Sequence, residues 1–142
     1  SMGHTANVLK KTVQTVSAQS TVLDAAKAMK KAKIGSLLVG DASAPEGIFT
    51  ERDIARRVVA DGLDPAQTRV SEVMSKKLVT LDAAEPLEKV FDCLALGHFR
   101  HLPIMENVRI VGIVSLTDLA KMLKELAREG RFLETFTGKV ES

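Results

Sequence analysis

Two copies of a seven-residue pattern each bring a hydroxyl group and a carboxylate to the start of a helix. The first copy runs from Gly47 to Asp53 as Gly-Ile-Phe-Thr-Glu-Arg-Asp, and the second runs from Gly112 to Asp118 as Gly-Ile-Val-Ser-Leu-Thr-Asp. An ionised aspartate accepts two hydrogen bonds from a vicinal diol, each worth about 1.5–3 kcal/mol, and a neighbouring hydroxyl can hold the sugar ring from the side. The adjoining helix N-terminus favours phosphate. The pattern therefore suits the recognition of a sugar or a sugar phosphate.

The same residues have a simpler structural role, which is helix capping. Thr50 with Asp53, and Ser115 with Asp118, have the spacing of a capping box that satisfies the free amides of a helix start. For a single copy, capping would explain the residues at least as well as ligand binding does. Capping alone accepts Ser, Thr, Asp or Asn, and does not require glycine, isoleucine, a hydroxyl and aspartate to recur together. The duplication therefore favours a binding role.

The duplication extends well beyond this pattern. Each residue from Thr15 to Val59 has a counterpart further along the chain, at the separation of Asp53 and Asp118, which is 118 − 53 = 65 positions. A repeat of this length is one supersecondary unit used twice. We expect two similar halves that pack about an approximate two-fold axis, with equivalent clefts where they meet.

Hydrophobic spacing predicts the order strand, helix, strand, strand, helix in both halves. The first half should contain a strand around residues 13–16, a helix from the cap Ser20 or Thr21 to about Lys33, a hairpin of Ile34–Val39 with Gly47–Phe49, and a helix capped by Thr50. The second half should contain a helix from about Pro86 to Gly97, a hairpin of residues 101–105 with 109–114, and a helix from the cap Ser115 through Leu126. The predicted fold class is α/β (α+β), with two pseudo-symmetric βαββα repeats that share one core.

Length and composition limit the classes of protein to consider. With 142 residues, 45% of them hydrophobic, the chain is long enough for one core and too short for two ordinary domains. Twenty Lys and Arg residues against eighteen Asp and Glu leave a net charge of +2, too small to hold the chain to nucleic acid or anionic lipid. The sequence has no apolar run near the roughly 20 residues of a membrane span and no signal-like N-terminus, so a cytoplasmic location is expected.

The duplicated pattern, together with Gly97-His98-Phe99-Arg100-His101-Leu102-Pro103-Ile104, resembles a tandem pair of cystathionine β-synthase (CBS) domains. This run is similar to the Arg-His pair that precedes Leu-Pro and an apolar strand in the second repeat of that family. The resemblance covers about Val13 to Leu126 and leaves no room for an attached catalytic domain. It implies a stand-alone CBS pair (a Bateman module), with a first repeat at 8–65, a second repeat at 70–127 and a C-terminal extension at 128–142.

The resemblance also implies a function, which is to sense adenosine-containing nucleotides in clefts between the repeats. AMP, ADP and ATP are the expected ligands, with S-adenosylmethionine and NAD(H) as further candidates. The nucleotide would be a regulatory ligand and not a catalytic cofactor. The sequence shows no Ser/His/Asp or Cys/His constellation and no phosphate-loop glycine pattern, so it indicates no catalytic site. We therefore expect a non-enzyme that regulates an unknown protein target.

Each cleft has a set of residues carried over by position from the family. In one cleft Asp118 would hold the ribose hydroxyls, with Ser115 and Thr117 beside it, Arg100 and His101 facing the phosphates, and Thr15, Val16, Ile34 and Gly35 around the base. In the other cleft Asp53 would have Thr50, Arg52, Thr80, Leu81 and Phe99 beside it, with Arg100 as a further candidate.

The halves differ at one strand, where Lys33-Ile34-Gly35-Ser36 replaces His98-Phe99-Arg100-His101. Only the second half has a cationic pair there. A guanidinium recognises phosphate by paired hydrogen bonds, which glycine cannot form. We therefore expect unequal sites: the Asp118 cleft should favour a phosphorylated ligand, and the Asp53 cleft should be weaker, empty or suited to another molecule.

Surface features predict partners and leave two alternatives open. The helices after the two patterns carry apolar stripes that predict an isologous homodimer. These stripes consist of Ile54, Ala55, Val58, Val59, Leu119, Met122, Leu123 and Leu126. The closing segment, with Phe132, Leu133 and Phe136, is also apolar enough to dock. The alternatives to a sensor are a ligand-free scaffold for protein–protein interaction and a nucleic-acid binder that uses the Arg52–Arg57 face, although such a run is more typical of a solvated face.

Two residue types that often carry chemistry are assigned structural roles. His98 and His101 have no cysteine or carboxylate cluster near them in sequence, so no metal site is expected. Cys93 lies between apolar helix positions and is expected to be a buried thiol. A single cysteine cannot form an internal disulfide.

Overall fold

The structure of the protein, a computed structural model, describes residues 4–97 and 100–130. It divides into two compact units. The first unit is Val13–Leu78, and the second unit combines the described residues of 1–12 and 79–142. Each unit contains the predicted βαββα order of elements, so the predicted fold class is confirmed. Five residues of the sequence prediction lie outside the described residues, namely His98, Phe99, Phe132, Leu133 and Phe136.

A three-stranded sheet and its helices form the first unit. Its elements are β1 (Thr15–Val16), α1 (Val22–Ala32), β2 (Ser36–Asp41), β3 (Ala44–Thr50), α2 (Glu51–Asp53), which continues as a π-helix (Ile54–Val59), and α3 (Val70–Val73). The central strand β2 is parallel to β1 and antiparallel to β3. Helix α1 begins where Thr21 Oγ1 accepts a hydrogen bond from the Asp24 amide at 3.1 Å, and it buries Val22, Ala25 and Met29.

The second unit repeats this architecture. Its elements are β4 (Leu81–Asp82), α4 (Leu87–Leu96), β5 (His101–Glu106), β6 (Arg109–Ser115) and α5 (Leu116–Arg128). Strand β5 is parallel to β4 and antiparallel to β6. Pro86 directly precedes α4 and Gly97 directly follows it, so both predicted ends of this helix are confirmed. No helix within the described residues is long and apolar enough to cross a bilayer.

Each unit is completed by a short segment that precedes a repeat in sequence. A 3₁₀ helix (Ala6–Leu9) belongs to the second unit, where the Lys11 amide donates to the Val111 carbonyl at 3.0 Å. The equivalent segment of the other repeat contains α3 and belongs to the first unit, where Ser75 and Ile48 donate to each other's carbonyls at 2.9 Å. The structural duplication therefore extends to segments that lie outside the repeat found in the sequence. Four-residue helices are too short to show a hydrophobic period, so the sequence gives no signal for them.

Most of the buried apolar side chains form two clusters, one in each unit, and the core that the sequence predicted the two halves to share stays a prediction. The cluster of the first unit consists of Ala18, Val22, Ala25, Met29, Leu37, Val39, Phe49, Val58, Val70 and Val73. The cluster of the second unit consists of Ala6, Leu81, Ala83, Leu87, Val90, Leu94, Leu102, Ile104, Val114 and Leu119. Each cluster combines residues of one sheet with residues of the helices in the same unit. Cys93 is half-buried against the second cluster.

Candidate functional site

The carboxylate of Asp118 is held at the start of α5 by a capping box. Its Oδ2 accepts hydrogen bonds from the Ser115 amide at 2.8 Å and from the Ser115 hydroxyl at 3.0 Å. The Asp118 amide in turn donates to Ser115 Oγ at 3.2 Å. Within residues 4–97 and 100–130, Oδ1 of Asp118 accepts no hydrogen bond. The capping interpretation is therefore correct for one oxygen, while the other stays available for a ligand.

Lys11 adds a cation to this carboxylate. Its Nζ lies 3.3 Å from Asp118 Oδ2, and 35% of the Asp118 side chain is exposed. Partial burial raises the pKa of Asp118, but the amide and hydroxyl of Ser115 and the ammonium of Lys11 lower it by more. The pKa therefore lies below its ordinary value of 3.8, and the group is ionised at neutral pH. Sequence reasoning missed Lys11, although Lys76 stands at the equivalent place in the other repeat.

Asp53 has the same capping box but a different second partner. Its Oδ2 accepts from the Thr50 amide at 3.0 Å and from the Thr50 hydroxyl at 3.1 Å. Its Oδ1 lies 3.7 Å from Nε of Arg57, and only 13% of the Asp53 side chain is exposed. Both oxygens of Asp53 therefore have partners within the first unit. Because both of its carboxylate oxygens have partners and its side chain is less exposed, Asp53 is less accessible to a diol than Asp118 is.

The glycine of each motif has a structural reason to recur. We name the two segments the Asp53 motif (Gly47–Asp53) and the Asp118 motif (Gly112–Asp118). A Cβ atom on Gly47 would lie 2.5 Å from the Ser75 carbonyl oxygen, and one on Gly112 would lie 2.7 Å from the Leu9 carbonyl oxygen. Both contacts are with the completing segments described above. Packing therefore explains the recurrence of this glycine without a ligand, and the binding hypothesis depends on the remaining side chains.

In the second unit, the sheet brings Arg100 and His101 next to the Asp118 motif. His101 at the start of β5 is opposite Ser115 at the end of β6. Arg100 directly precedes His101 and is exposed, as is Thr117 in the first turn of α5. The second unit therefore pairs the backbone of His101 with Ser115 of the Asp118 motif, and Arg100 directly precedes this pair. A shared role of these four residues in one ligand site stays a prediction.

In the first unit, the same register gathers different chemistry. Ser36 is opposite Thr50, and the Glu51 amide donates to the Gly35 carbonyl at 3.0 Å. The carboxyl carbon of Glu51 lies 3.3 Å from where a Cβ on Gly35 would stand. Arg52, which replaces Thr117, is exposed. A carboxylate therefore lies beside Gly35, whose counterpart in the other repeat is Arg100.

The other predicted site residues belong to the sheets. Thr15 and Val16 form β1 beside β2, and Ile34 and Val16 pack on the first cluster. Leu81 on β4 is buried in the second cluster, so its side chain serves the core, whereas Thr80 is exposed. Thr15, Val16, Ile34 and Gly35 lie in the first unit and Asp118 in the second, and Thr80 and Leu81 are likewise in the other unit from Asp53. Their shared clefts stay a prediction, and Phe99 lies outside the described residues.

Metal ligands are not grouped in the part of the chain that the structure describes. Within residues 4–97 and 100–130, no three His, Cys, Asp or Glu side chains are close enough together to hold a metal ion.

Comparison with known proteins gives one family. A family model described as "CBS domain" matches residues 6–60 and 70–125. The CBS domain-containing protein YhcV of Bacillus subtilis is 43% identical over 108 residues, which are 76% of this chain and 76% of YhcV. CBSCBSPB2 of Arabidopsis thaliana is 37% identical over 130 residues, which are 85% of this chain but 24% of that protein, so the chain spans about a quarter of this relative.

A solved structure shows the same fold. The hexameric CBS-CP12 protein from bloom-forming cyanobacteria has a TM-score of 0.75 and 28% sequence identity, and the match covers 94% of this chain and 84% of that one.

Proposed function

The chain belongs to the family of CBS-domain proteins, and on this premise we propose that it is a regulatory module that binds an adenosine-containing nucleotide at the Asp118 motif. The family supports a regulatory, ligand-binding role in general, and the chemistry of the Asp118 motif supports this particular ligand. The module transmits the binding of the nucleotide to a protein target and catalyses no reaction itself. We also propose a cytoplasmic location.

One observation carries this proposal, namely that Asp118 has an ionised carboxylate with one oxygen, Oδ1, that no described residue engages. The capping box fixes Oδ2, and so it also fixes the direction of Oδ1. Such a fixed acceptor loses little side-chain freedom when a ligand binds. A ribose offers two adjacent hydroxyl donors, and hydrogen bonds to an ionised group are stronger than those between neutral groups.

The phosphate specificity follows from Arg100 and His101. His101 at the start of β5 is opposite Ser115 in the sheet, so Arg100 and His101 stand beside the motif that contains the proposed ribose acceptor. The exposed guanidinium of Arg100 can form paired hydrogen bonds with a phosphate. Lys11, already 3.3 Å from Asp118, adds a third basic side chain to this end of the unit. The ligand we propose is therefore AMP, ADP or ATP, ahead of S-adenosylmethionine or NAD(H).

The experiment that tests this function is calorimetric titration with AMP, ATP, S-adenosylmethionine and NADH. We expect AMP or ATP to bind with a Kd of about 1 mM or tighter. Asp118→Asn keeps an acceptor for the cap but removes the charge, and should weaken AMP about tenfold or more. Arg100→Ala should weaken AMP far more than adenosine. If none of the four ligands binds to the wild-type chain, the nucleotide proposal is wrong.

We also propose that the chain forms a homodimer through the helices that follow the two motifs. Val58 and Leu119 of the predicted stripes are fully buried within their own units and are not available to a partner. Val59 is 70% exposed and Leu116 is 50% exposed, so these helices still present apolar surface. The hexameric CBS-CP12 protein, a structural relative, supports self-association in general.

The two alternatives make different predictions. A ligand that binds only the folded chain raises the melting temperature, so a ligand-free scaffold would show no shift with any nucleotide. A nucleic-acid binder would lose affinity steeply as salt increases. The structure gives less support to the second alternative, because Arg57 of the Arg52–Arg57 face donates to the Met74 carbonyl at 3.1 Å and pairs with Asp53.

A further inference from the structure

The two units carry opposite charges at one equivalent place in their sheets. In the first unit, the register that pairs Ser36 with Thr50 continues to Gly35 and Glu51, which share a backbone hydrogen bond of 3.0 Å. In the second unit, the register that pairs His101 with Ser115 leads in the same way to Arg100 and Leu116. Both members of the pair therefore change between the repeats: glycine with glutamate becomes arginine with leucine.

The absence of a side chain on Gly35 leaves room for the Glu51 carboxylate. A Cβ on Gly35 would lie 3.3 Å from the carboxyl carbon of Glu51 and 3.4 and 3.5 Å from its two oxygens. The acidic group therefore covers the strand end that carries a guanidinium in the other repeat. Within the described residues Glu51 forms no ion pair, whereas Asp53 is paired with Arg57. No described residue therefore neutralises the charge of Glu51 by an ion pair.

We propose that Glu51 is a specificity-determining residue that makes the Asp53 motif reject phosphate. This inference rests on the proposed function, because it assumes that the 5′ group of an adenosine ligand lies at the strand end opposite the first helix residue in each motif. There, a phosphate would meet a cation at the Asp118 motif and a carboxylate at the Asp53 motif. Like charges in close contact are unfavourable, and opposite charges are favourable. The ligand class of the Asp53 motif is therefore an adenosine compound with a neutral or cationic 5′ substituent.

Arg52 is the charge that could oppose this effect. It stands next to Glu51, is exposed, and is the basic residue of the Asp53 motif. Its counterpart Thr117 is neutral. If Arg52 offset the charge of Glu51 fully, the Asp53 motif with Glu51 in place would bind adenosine and AMP equally well. Removing the Glu51 charge would still increase its affinity for AMP. The starting ratio of the two affinities therefore measures which charge dominates.

The test weakens binding at the Asp118 motif by using the Asp118→Asn background, so that the Asp53 motif contributes most to binding, and titrates adenosine and AMP separately by calorimetry. In this background we expect adenosine to bind at least about tenfold more tightly than AMP. Adding Glu51→Gln should strengthen AMP about tenfold while changing adenosine by less than about twofold. Glu51→Leu, which copies Leu116, should act in the same way. Glu88→Gln is the matched control, because Glu88 is an exposed acidic residue in the first turn of α4 and its removal changes the net charge equally.

The reciprocal variant tests the same idea at the other motif. Leu116→Glu in the Asp53→Asn background should weaken AMP about tenfold and leave adenosine nearly unchanged. The inference is overturned if Glu51→Gln leaves the ratio of adenosine to AMP affinity unaltered, or if the Asp118→Asn protein binds neither ligand. The proposed function fails separately, when the wild-type chain binds no nucleotide at all.

Discussion

Lys11 holds its ammonium 3.3 Å from Oδ2 of Asp118, across 107 residues of sequence. The contact joins the N-terminal segment that completes the second unit to the carboxylate at the start of α5. It places a cation on the oxygen that the capping box already uses, and so it leaves Oδ1 open. The N-terminal segment is therefore part of the electrostatic environment of the proposed ligand site.

Replacing Lys11 with methionine should raise the pKa of Asp118. The folded-state pKa lies below 3.8, so Asp118 stabilises the fold above its unfolded-state pKa, and this stability is lost as the pH falls through the folded-state pKa. Lys11→Met should therefore reduce the free energy of unfolding at pH 7 and have no effect well below the folded-state pKa. Because the two side chains are 47% and 35% exposed, we expect a loss of at most about 0.5 kcal/mol.

NMR titration of the Asp118 carboxyl carbon measures this pKa directly. Urea unfolding at neutral and acidic pH measures the stability. Lys10→Met is the control, because Lys10 pairs with Glu106 at 2.8 Å instead of with Asp118. An unchanged Asp118 pKa in the Lys11→Met protein would contradict the conclusion that Lys11 lowers this pKa.

Alanine at either motif glycine should destabilise its own unit. The new Cβ would meet a backbone carbonyl oxygen at 2.5 Å for Gly47→Ala and at 2.7 Å for Gly112→Ala, and backbone cannot move aside as a side chain can. We expect each change to reduce the free energy of unfolding by about 1–3 kcal/mol, as overpacking does. Gly35→Ala is a matched comparison, because its Cβ would meet the end of the Glu51 side chain at 3.3 Å, so its effect should be much smaller. Equal losses in all three proteins would show that the carbonyl contacts do not matter.

Sequence alone predicted the repeated elements well because their signals are local. Thr50 with Asp53 and Ser115 with Asp118 form the capping boxes that their spacing indicates, and Pro86 and Gly97 flank α4. The π-helix over Ile54–Val59 could not be predicted, because a change of helix type does not alter the residue types that a helix accepts. The second repeat continues instead as a regular α-helix.

The contacts that distinguish the two motifs were not predictable, because they join residues far apart in sequence. Lys11 meets Asp118 only once the N-terminal segment lies on β6. The reason for the glycine in each motif also depends on a segment elsewhere in the chain. The sequence did indicate unequal sites from Gly35 and Arg100, but the position of Glu51 over Gly35 required the sheet register.

Replacing Arg57 should destabilise the first unit and free the second oxygen of Asp53. Its Nη1 donates to the carbonyls of Val73 at 3.3 Å and Met74 at 3.1 Å, which lie at the end of α3 and have no helical partner. Because half of the Arg57 side chain is exposed, we expect Arg57→Met to reduce the free energy of unfolding by about 1 kcal/mol. Arg57→Lys should recover only part of this, since lysine lacks the planar fork.

The matched control for that change is Arg56→Met, because Arg56 is exposed and forms no contact of this kind within the described residues. Urea unfolding compares the four proteins. A loss in Arg56→Met as large as that in Arg57→Met would mean that general charge, and not the bonds to α3, stabilises this region.

Replacing Val59 with glutamate should weaken self-association without weakening the fold. Val59 is 70% exposed on the helix that follows the Asp53 motif, so the substitution removes no buried packing within the chain. A charge in an apolar interface between copies must lose water without gaining a partner, which is costly. Sedimentation velocity at several protein concentrations should show a dimer for the wild type and a shift toward monomer for Val59→Glu. Val108→Glu is the control, because Val108 is 77% exposed in the turn between β5 and β6, away from the helices proposed to pair. If Val59→Glu sediments as the wild type does, these helices are not the interface.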